Sequence, residues 1–234
     1  MRISLQPAFI LHQRPYRETS VLLDVLTQDY GRLSLIARGV RKERSRLRAI
    51  LQPFIHLLIS FQGKYELMTL VTAESSGAPI SLRRASLLSG FYLNELLVRV
   101  LQKQDAHRAI YTIYRDTLLE LEQGELQQKT LRLFEKKLLI ELGYGLRLQP
   151  EVFDPEKYYQ FFYEQGLVAC DEIITKERQS MIFSGKSLLA FAVEELNSEE
   201  ILRDAKRLMR LALAPLLGSQ PLHSRKLFIE VEKA

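Results

Sequence analysis

One cysteine, Cys170, is all the thiol in this sequence of 234 residues, so no internal disulfide and no thiolate-rich metal cage can form. A reducing, cytoplasmic setting is the expectation. There is no tryptophan, and the four histidines, His12, His56, His107 and His223, fall in separate elements, each read as lacking a local cysteine or carboxylate partner. His12 and His56 sit in apolar strand contexts and read as structural. Cys170 is followed by Asp171 and Glu172, which raise a thiol pKa rather than activate it. No carboxylates recur at the spacing a two-metal centre needs. No run approaches 18 uncharged apolar residues, and MRISLQPAFILHQRPY lacks the apolar stretch of a signal peptide. These absences leave no catalytic constellation, metal site or cofactor site to assign. No membrane span is expected.

One segment imitates a catalytic motif. Ser184-Gly185-Lys186-Ser187 copies the end of a phosphate-binding loop, but Ser180 stands where its first glycine belongs. Met181, Ile182 and Phe183 are too bulky for a backbone cradle. A turn and a helix start are the better reading.

What the sequence does have is positive charge in one place. Residues 1–80 hold 11 Lys+Arg against 6 Asp+Glu, whereas residues 81–234 hold 22 of each, so the whole net charge of +5 lies in the first third. Within it, Ile36–Pro53 carries Arg38, Arg41, Lys42, Arg44, Arg46 and Arg48 against the single acid Glu43. Residues 39–48 have no apolar stripe and read as a mobile cationic loop. Drawn out, the stretch from Arg38 to Arg48 spans at most roughly 35 Å, enough to cross several phosphates. Six phosphate contacts would give a salt slope of roughly −4 on single strands. A solvated surface loop is the plain alternative. Tyr16, Tyr30, Phe54, Phe61 and Tyr65 flank this surface, and one or two of them could stack on bases.

Around that loop the pattern is β-like. Leu5–His12, Thr19–Leu26, Arg32–Arg38, Phe54–Phe61 and Tyr65–Thr72 are short apolar or alternating runs, and Pro15 is read as ending the first. Leu33, Leu35 and Ala37 share one face, with Arg32, Ser34, Ile36 and Arg38 on the other. Five such runs suit a small closed antiparallel barrel, because closure removes the exposed edges. An oligonucleotide-binding (OB) barrel leads, with an SH3-like barrel second. Ser75–Pro79 is a turn-rich boundary, beyond which the period becomes helical. Helices are expected over Ser81–Gln102, His107–Glu122, Glu125–Leu142, Lys186–Leu196 and Ser198–Leu217, the last opened by an Asn197/Glu200 capping box. Residues 150–185 read as an irregular insert, aromatic from Tyr158 to Tyr163, with a hairpin around Gln165-Gly166. The fold class is therefore α+β: a barrel over 1–79, then an all-α domain over 80–234 with a short irregular or β insert. Two further basic sets lie on helices. Arg203, Lys206, Arg207 and Arg210 share one face of the last. Lys129, Arg132, Lys136 and Lys137 stand beside Phe134 on the third, where a cationic rim on an apolar groove could hold an acidic peptide.

Several blocks together resemble a known family. Phe9–His12, Arg14-Pro15-Tyr16, Glu18-Thr19-Ser20, Gly31-Arg32, Ala37-Arg38-Gly39 and Leu51–Phe54 look like the opening of the bacterial RecO recombination mediators. The likeness continues through Tyr92–Leu96, Leu142–Gly145, Ala205-Lys206-Arg207 and Ser224-Arg225-Lys226-Leu227, nearly the whole chain. It implies an OB barrel followed by a helical domain. It also implies non-enzymatic binding of single- and double-stranded DNA, strand annealing, and loading of RecA onto DNA coated by single-strand-binding protein. The partners it implies are RecR and the acidic C-terminal tail of that coating protein, in a nucleoid-associated setting. DNA contact then falls to Arg14, Arg32, Arg38, Arg41, Lys42, Arg44, Arg46 and Arg48, with Lys206, Arg207 and Arg210. The tail falls to Lys129, Arg132, Phe134 and Lys136. Many relatives hold a four-cysteine zinc module near 150–175; with Cys170 alone, none is expected here. An RNA-binding OB module and a protein-interaction adapter remain as alternatives.

Overall fold

The computed structural model describes residues 2–124, 126–170 and 179–224. Arg225, Lys226 and Leu227 of the last matching block, and residues 171–178 of the insert, lie outside them. The chain divides into two compact units, residues 1–125 with 219–234, and residues 126–218.

The first unit is built on a closed barrel of β1 (Arg2–Tyr16), β2 (Ser20–Thr27), β3 (Gly31–Ala37), β4 (Leu57–Gln62) and β5 (Leu67–Ser75), in the order β1-β2-β3-β5-β4. All pairings are antiparallel except β3 with β5, whose parallel register joins Ser34–Ile36 to Leu67–Thr69. This is the OB arrangement. Its interior follows the period of two: Leu33, Leu35 and Ala37 from β3 meet Val21, Leu23 and Val25 from β2 and Leu57, Ile59 and Phe61 from β4, all buried.

β1 runs through Pro15 instead of stopping before it. Its first half pairs with β4 up to Ala8, and from Ala8 onward it pairs with β2, Pro15 lying opposite Val21. At Pro15 only one edge of the strand is paired, so the missing N–H costs no ladder bond.

Two helices complete this unit, α2 (Ala85–Val100) and α3 (Arg108–Gln123), with a short α1 (Leu47–Ile50) between β3 and β4. α2 begins four residues later than the periodicity suggests. The amide of Ser81 is taken instead by Glu122 Oε1 at 2.6 Å. Phe9, outward on β1, packs edge-on to Tyr114 at 5.3 Å and beside His56 at 5.2 Å. Below it, Asn94 Nδ2 donates to Leu11 O at 3.0 Å and Tyr114 Oη to Asn94 Oδ1 at 2.5 Å. A buried amide thus closes the polar accounts of two elements.

Glu95 lies on the same helix as a hydrogen-bonded structural acid. Its carboxylate accepts from the amides of His223 and Ser224, both at 2.8 Å, and from Ser224 Oγ at 2.7 Å. Burial alone would raise its pKa, but these donors outweigh it and the net shift is downward. A depressed carboxyl stabilises the fold above its unfolded pKa, and that contribution is lost as the pH falls through the folded value. Melting temperature in the wild type should therefore drop through the acid range below about pH 4.5 more steeply than in Glu95→Gln, and parallel melting curves would refute the clasp.

The second unit holds α4 (Gln127–Glu141), a three-stranded sheet, α5 (Gly185–Ala192) and α6 (Glu199–Leu217). The insert is more regular than its sequence suggests: β6 (Tyr158–Phe162) pairs with β7 (Gly166–Cys170) across the expected hairpin and with β8 (Ile182–Ser184). Tyr159 and Phe161 turn inward, Tyr159 edge-on to Phe153 at 5.2 Å. Ser184 caps α5, its Oγ accepting from the Ser187 amide at 3.1 Å. A Cβ at Gly185 would meet Asp154 O at 1.9 Å, so glycine there serves packing rather than phosphate. α6 is capped by Ser198, accepting from the Ile201 amide at 3.3 Å, not by Asn197. Either residue type can cap; Ser198 is the one placed at the turn.

Candidate nucleic-acid interface

The basic segment is anchored at both ends by the barrel core. Val40 is 3% exposed and Leu51 fully buried, with Leu47 and Ile50 packed against the same cluster. Between these anchors the chain has no other apolar side chain to hide, so the cations must face water. Arg38, Arg41, Lys42, Arg44, Arg46 and Arg48 are all exposed. The segment folds as successive turns rather than an extended arm: Lys42 N donates to Gly39 O at 3.3 Å and Ser45 N to Lys42 O at 3.1 Å.

Two contacts bring the β1–β2 turn alongside. Arg41 N donates to Thr19 O at 2.9 Å, and Arg41 Nη1 to Arg17 O at 3.0 Å. Gln13 Nε2 reaches Gln52 Oε1 at 3.3 Å, and Gln52 Nε2 donates to Arg48 O at 2.8 Å, tying α1 to β1 next to the exposed Arg14. Arg17, whose guanidinium lies 5.3 Å from the Tyr16 ring centroid, joins the cluster and was missed from the sequence. The signal was its place in the turn between two strands. Among the described residues no carboxylate pairs with Arg14, Arg17, Arg38, Arg41, Lys42, Arg44, Arg46 or Arg48. Unneutralised cations converging on one end of a barrel attract a polyanion.

Other residues picked out by the sequence are engaged inside the protein. Arg32 is 13% exposed; its Nη1 meets Asp24 Oδ1 at 3.1 Å and its Nε donates to Leu101 O at 3.1 Å. Phe54 and Phe61 are core and the half-buried Tyr30 packs edge-on to Phe61 at 5.8 Å, leaving Tyr65 at 81% exposure and the half-buried Tyr16 as accessible rings. Two histidines do have acids close by: His107 Nε2 lies 3.1 Å from Asp105 Oδ2, and His12 Nδ1 lies 4.0 Å from Asp24 Oδ2. Among the described residues no three His, Cys, Asp or Glu side chains gather as a metal site would need.

In the second unit, Arg203, Lys206 and Arg210 line the exposed face of α6. Arg207 turns off that face: it stacks 4.5 Å over Phe183, pairs with Asp204 at 3.1 Å and donates to Ile182 O. The set on α4 does not rim a groove. Phe134 is 1% exposed, and Arg132 pairs with Glu135 at 2.9 Å, the two side chains 8% and 1% exposed. Lys136 Nζ donates to Phe191 O at 3.2 Å and Ala192 O at 2.9 Å, capping the C-terminal end of α5. Lys129, half-exposed, and Lys137, exposed, are the two cations of the set left unengaged among the described residues. Arg132→Ala should cost about 3 kcal/mol by removing half of a buried ion pair. Thermal unfolding checks this: a melting temperature no lower than that of Lys129→Ala would refute it.

Comparison with known proteins completes the site. The family model described as "Recombination protein O N terminal" matches residues 1–78, and "Recombination protein O C terminal" matches 83–226. A "DNA repair protein RecO" of Coxiella burnetii (strain RSA 331 / Henzerling II) is 44% identical over 231 residues, 97% of this chain and 98% of the relative. Proteins of the same description from Nitrosococcus oceani and Haemophilus influenzae (strain 86-028NP) are 41% and 40% identical. These matches cover 100% and 98% of this chain, and 96% and 98% of the relatives.

Proposed function

The chain belongs to the RecO family of DNA repair proteins, and from that premise we propose that it is a non-enzymatic mediator that grips DNA phosphates at the loop end of its barrel. The observation that carries this reading is the cluster of Arg14, Arg17, Arg38, Arg41, Lys42, Arg44, Arg46 and Arg48, which has no carboxylate partner among the described residues. Such a surface takes single or double strands, screens the repulsion between two strands, and so lets complementary sequences anneal without any covalent step. Lys206 and Arg210, exposed on α6, form a second cationic face that a strand could follow. Arg32 and Arg207 act at one remove, by holding the barrel wall and the β8–α6 contact.

Family likeness supports RecR and the acidic tail of single-strand-binding protein as partners, and RecA loading as the outcome. Lys129 and Lys137 are the cations of the α4 set left accessible to that tail. Annealing of complementary strands coated by single-strand-binding protein, followed against salt, tests the reading. A rate that rises with this protein and falls steeply with salt is expected. A rate unchanged by it would overturn the proposal, and a strong preference for RNA would favour an RNA-binding module instead.

A further inference from the structure

OB barrels customarily lay nucleic acid across the outward face of strands 2 and 3, between the β1–β2 and β4–β5 loops, and stack bases on aromatic side chains there. Here the chain itself covers the start of that face. The segment between α2 and α3 runs against the start of β3: Arg32 Nε donates to Leu101 O at 3.1 Å and Gln104 N donates to Arg32 O at 2.9 Å. The fit at Gly31 is so close that a Cβ would stand 1.8 Å from Asp105 O. The segment is pinned at both ends, by Arg108 Nε to Asp29 Oδ1 at 2.7 Å and by Lys103 Nζ to Glu66 Oε2 at 3.8 Å, Glu66 lying in the β4–β5 turn.

What stays open on β2 and β3 is unsuited to bases. Neither strand contains an aromatic residue, and the centre of the face is the carboxylate of Asp24. The basic segment from Arg38 to Leu51 likewise has no aromatic ring. Tyr65, in the β4–β5 turn, is the one largely exposed tyrosine or phenylalanine ring of the barrel among the described residues, and a single ring engages one base at most. Tyr16 is half-buried beside Arg17, and the exposed His12 imidazole stands by the Asp24 carboxylate.

We infer that the barrel's usual nucleic-acid face, covered at the start of β3 by the linker between α2 and α3 and without an aromatic ring on β2 or β3, is no base-stacking site, so that DNA is held through phosphates alone with its bases left unstacked. This rests on the DNA-binding reading above and gives it a chemical form. A protein that holds the backbone and ignores the bases leaves every pairing edge free for a second strand, which is what annealing requires.

The test compares the full chain's affinity for a thymidine 30-mer with that for a fully abasic strand carrying the same number of phosphates, at one ionic strength. Affinities within about fivefold are expected, since stacking contributes about 1–3 kcal/mol per base where it operates and would compound over several bases. Tyr65→Ala should likewise shift the thymidine affinity by less than about fivefold, because loss of one stacked base would exceed that. A larger loss in either comparison overturns the inference while leaving DNA binding intact. Failure of both strands to bind would overturn the DNA reading itself.

Discussion

Alanine at Lys42, Arg44, Arg46 and Arg48 together should weaken binding to a single-stranded oligonucleotide by two to three orders of magnitude at about 0.1 M salt. Each phosphate contact on a single strand contributes about 0.7 to the slope of log affinity against log salt, so four contacts remove nearly 3 from that slope. The same four contacts account for the drop in affinity at that salt concentration. All four side chains are exposed and take no carboxylate partner among the described residues, so the melting temperature should hardly move. Titration by fluorescence anisotropy at several salt concentrations reads both quantities. If affinity and slope stay at wild-type values, the loop is an ordinary solvated surface and the protein-adapter reading gains.

Gly31→Ala should be among the most damaging single substitutions in the barrel. The residue has φ +65, a conformation that costs an L side chain roughly 1 kcal/mol, and the new methyl would be driven into the Asp105 carbonyl at 1.8 Å. That carbonyl is backbone and cannot swing aside. Relief requires lifting the linker from β3, which breaks the bonds of Arg32 to Leu101 and Gln104. A total of about 3–4 kcal/mol follows, or roughly 10 °C in melting temperature for a protein of this size. A thermal melt within 2 °C or so of wild type would show that the linker does not pack against the strand as described.

The barrel was legible because its signals are local. Alternation along β2, β3 and β4 places each side chain in or out without knowledge of any partner strand, and those faces stand as read. Residues whose fate depends on distant sequence were not legible. Arg32 alternates outward like Arg38, and only its contacts with Asp24 and Leu101, 8 and 69 positions away, distinguish a pinned guanidinium from a free one. Lys136 reads as a surface cation until carbonyls 55 and 56 residues further along claim it. Phe134 and Arg132 fit an apolar-and-basic pattern, yet both are buried. The rule that proline ends a strand failed at Pro15 because half of β1 has a single neighbour. Arg17 went unnoticed because the sequence does not reveal which loop lies against which.

The two buried hydrophobes that moor the basic segment, Val40 and Leu51, have a consequence beyond this one molecule. With Leu47 and Ile50 they take up the segment's share of the core, and the side chains of Lys42, Arg44, Arg46 and Arg48 are left free of structural duty. Grip strength can therefore be retuned, by adding, deleting or reversing charges between the moorings, without any toll on the scaffold. Descendants of such a protein, or its engineers, could move from tenacious to fleeting attachment by editing that stretch of chain alone.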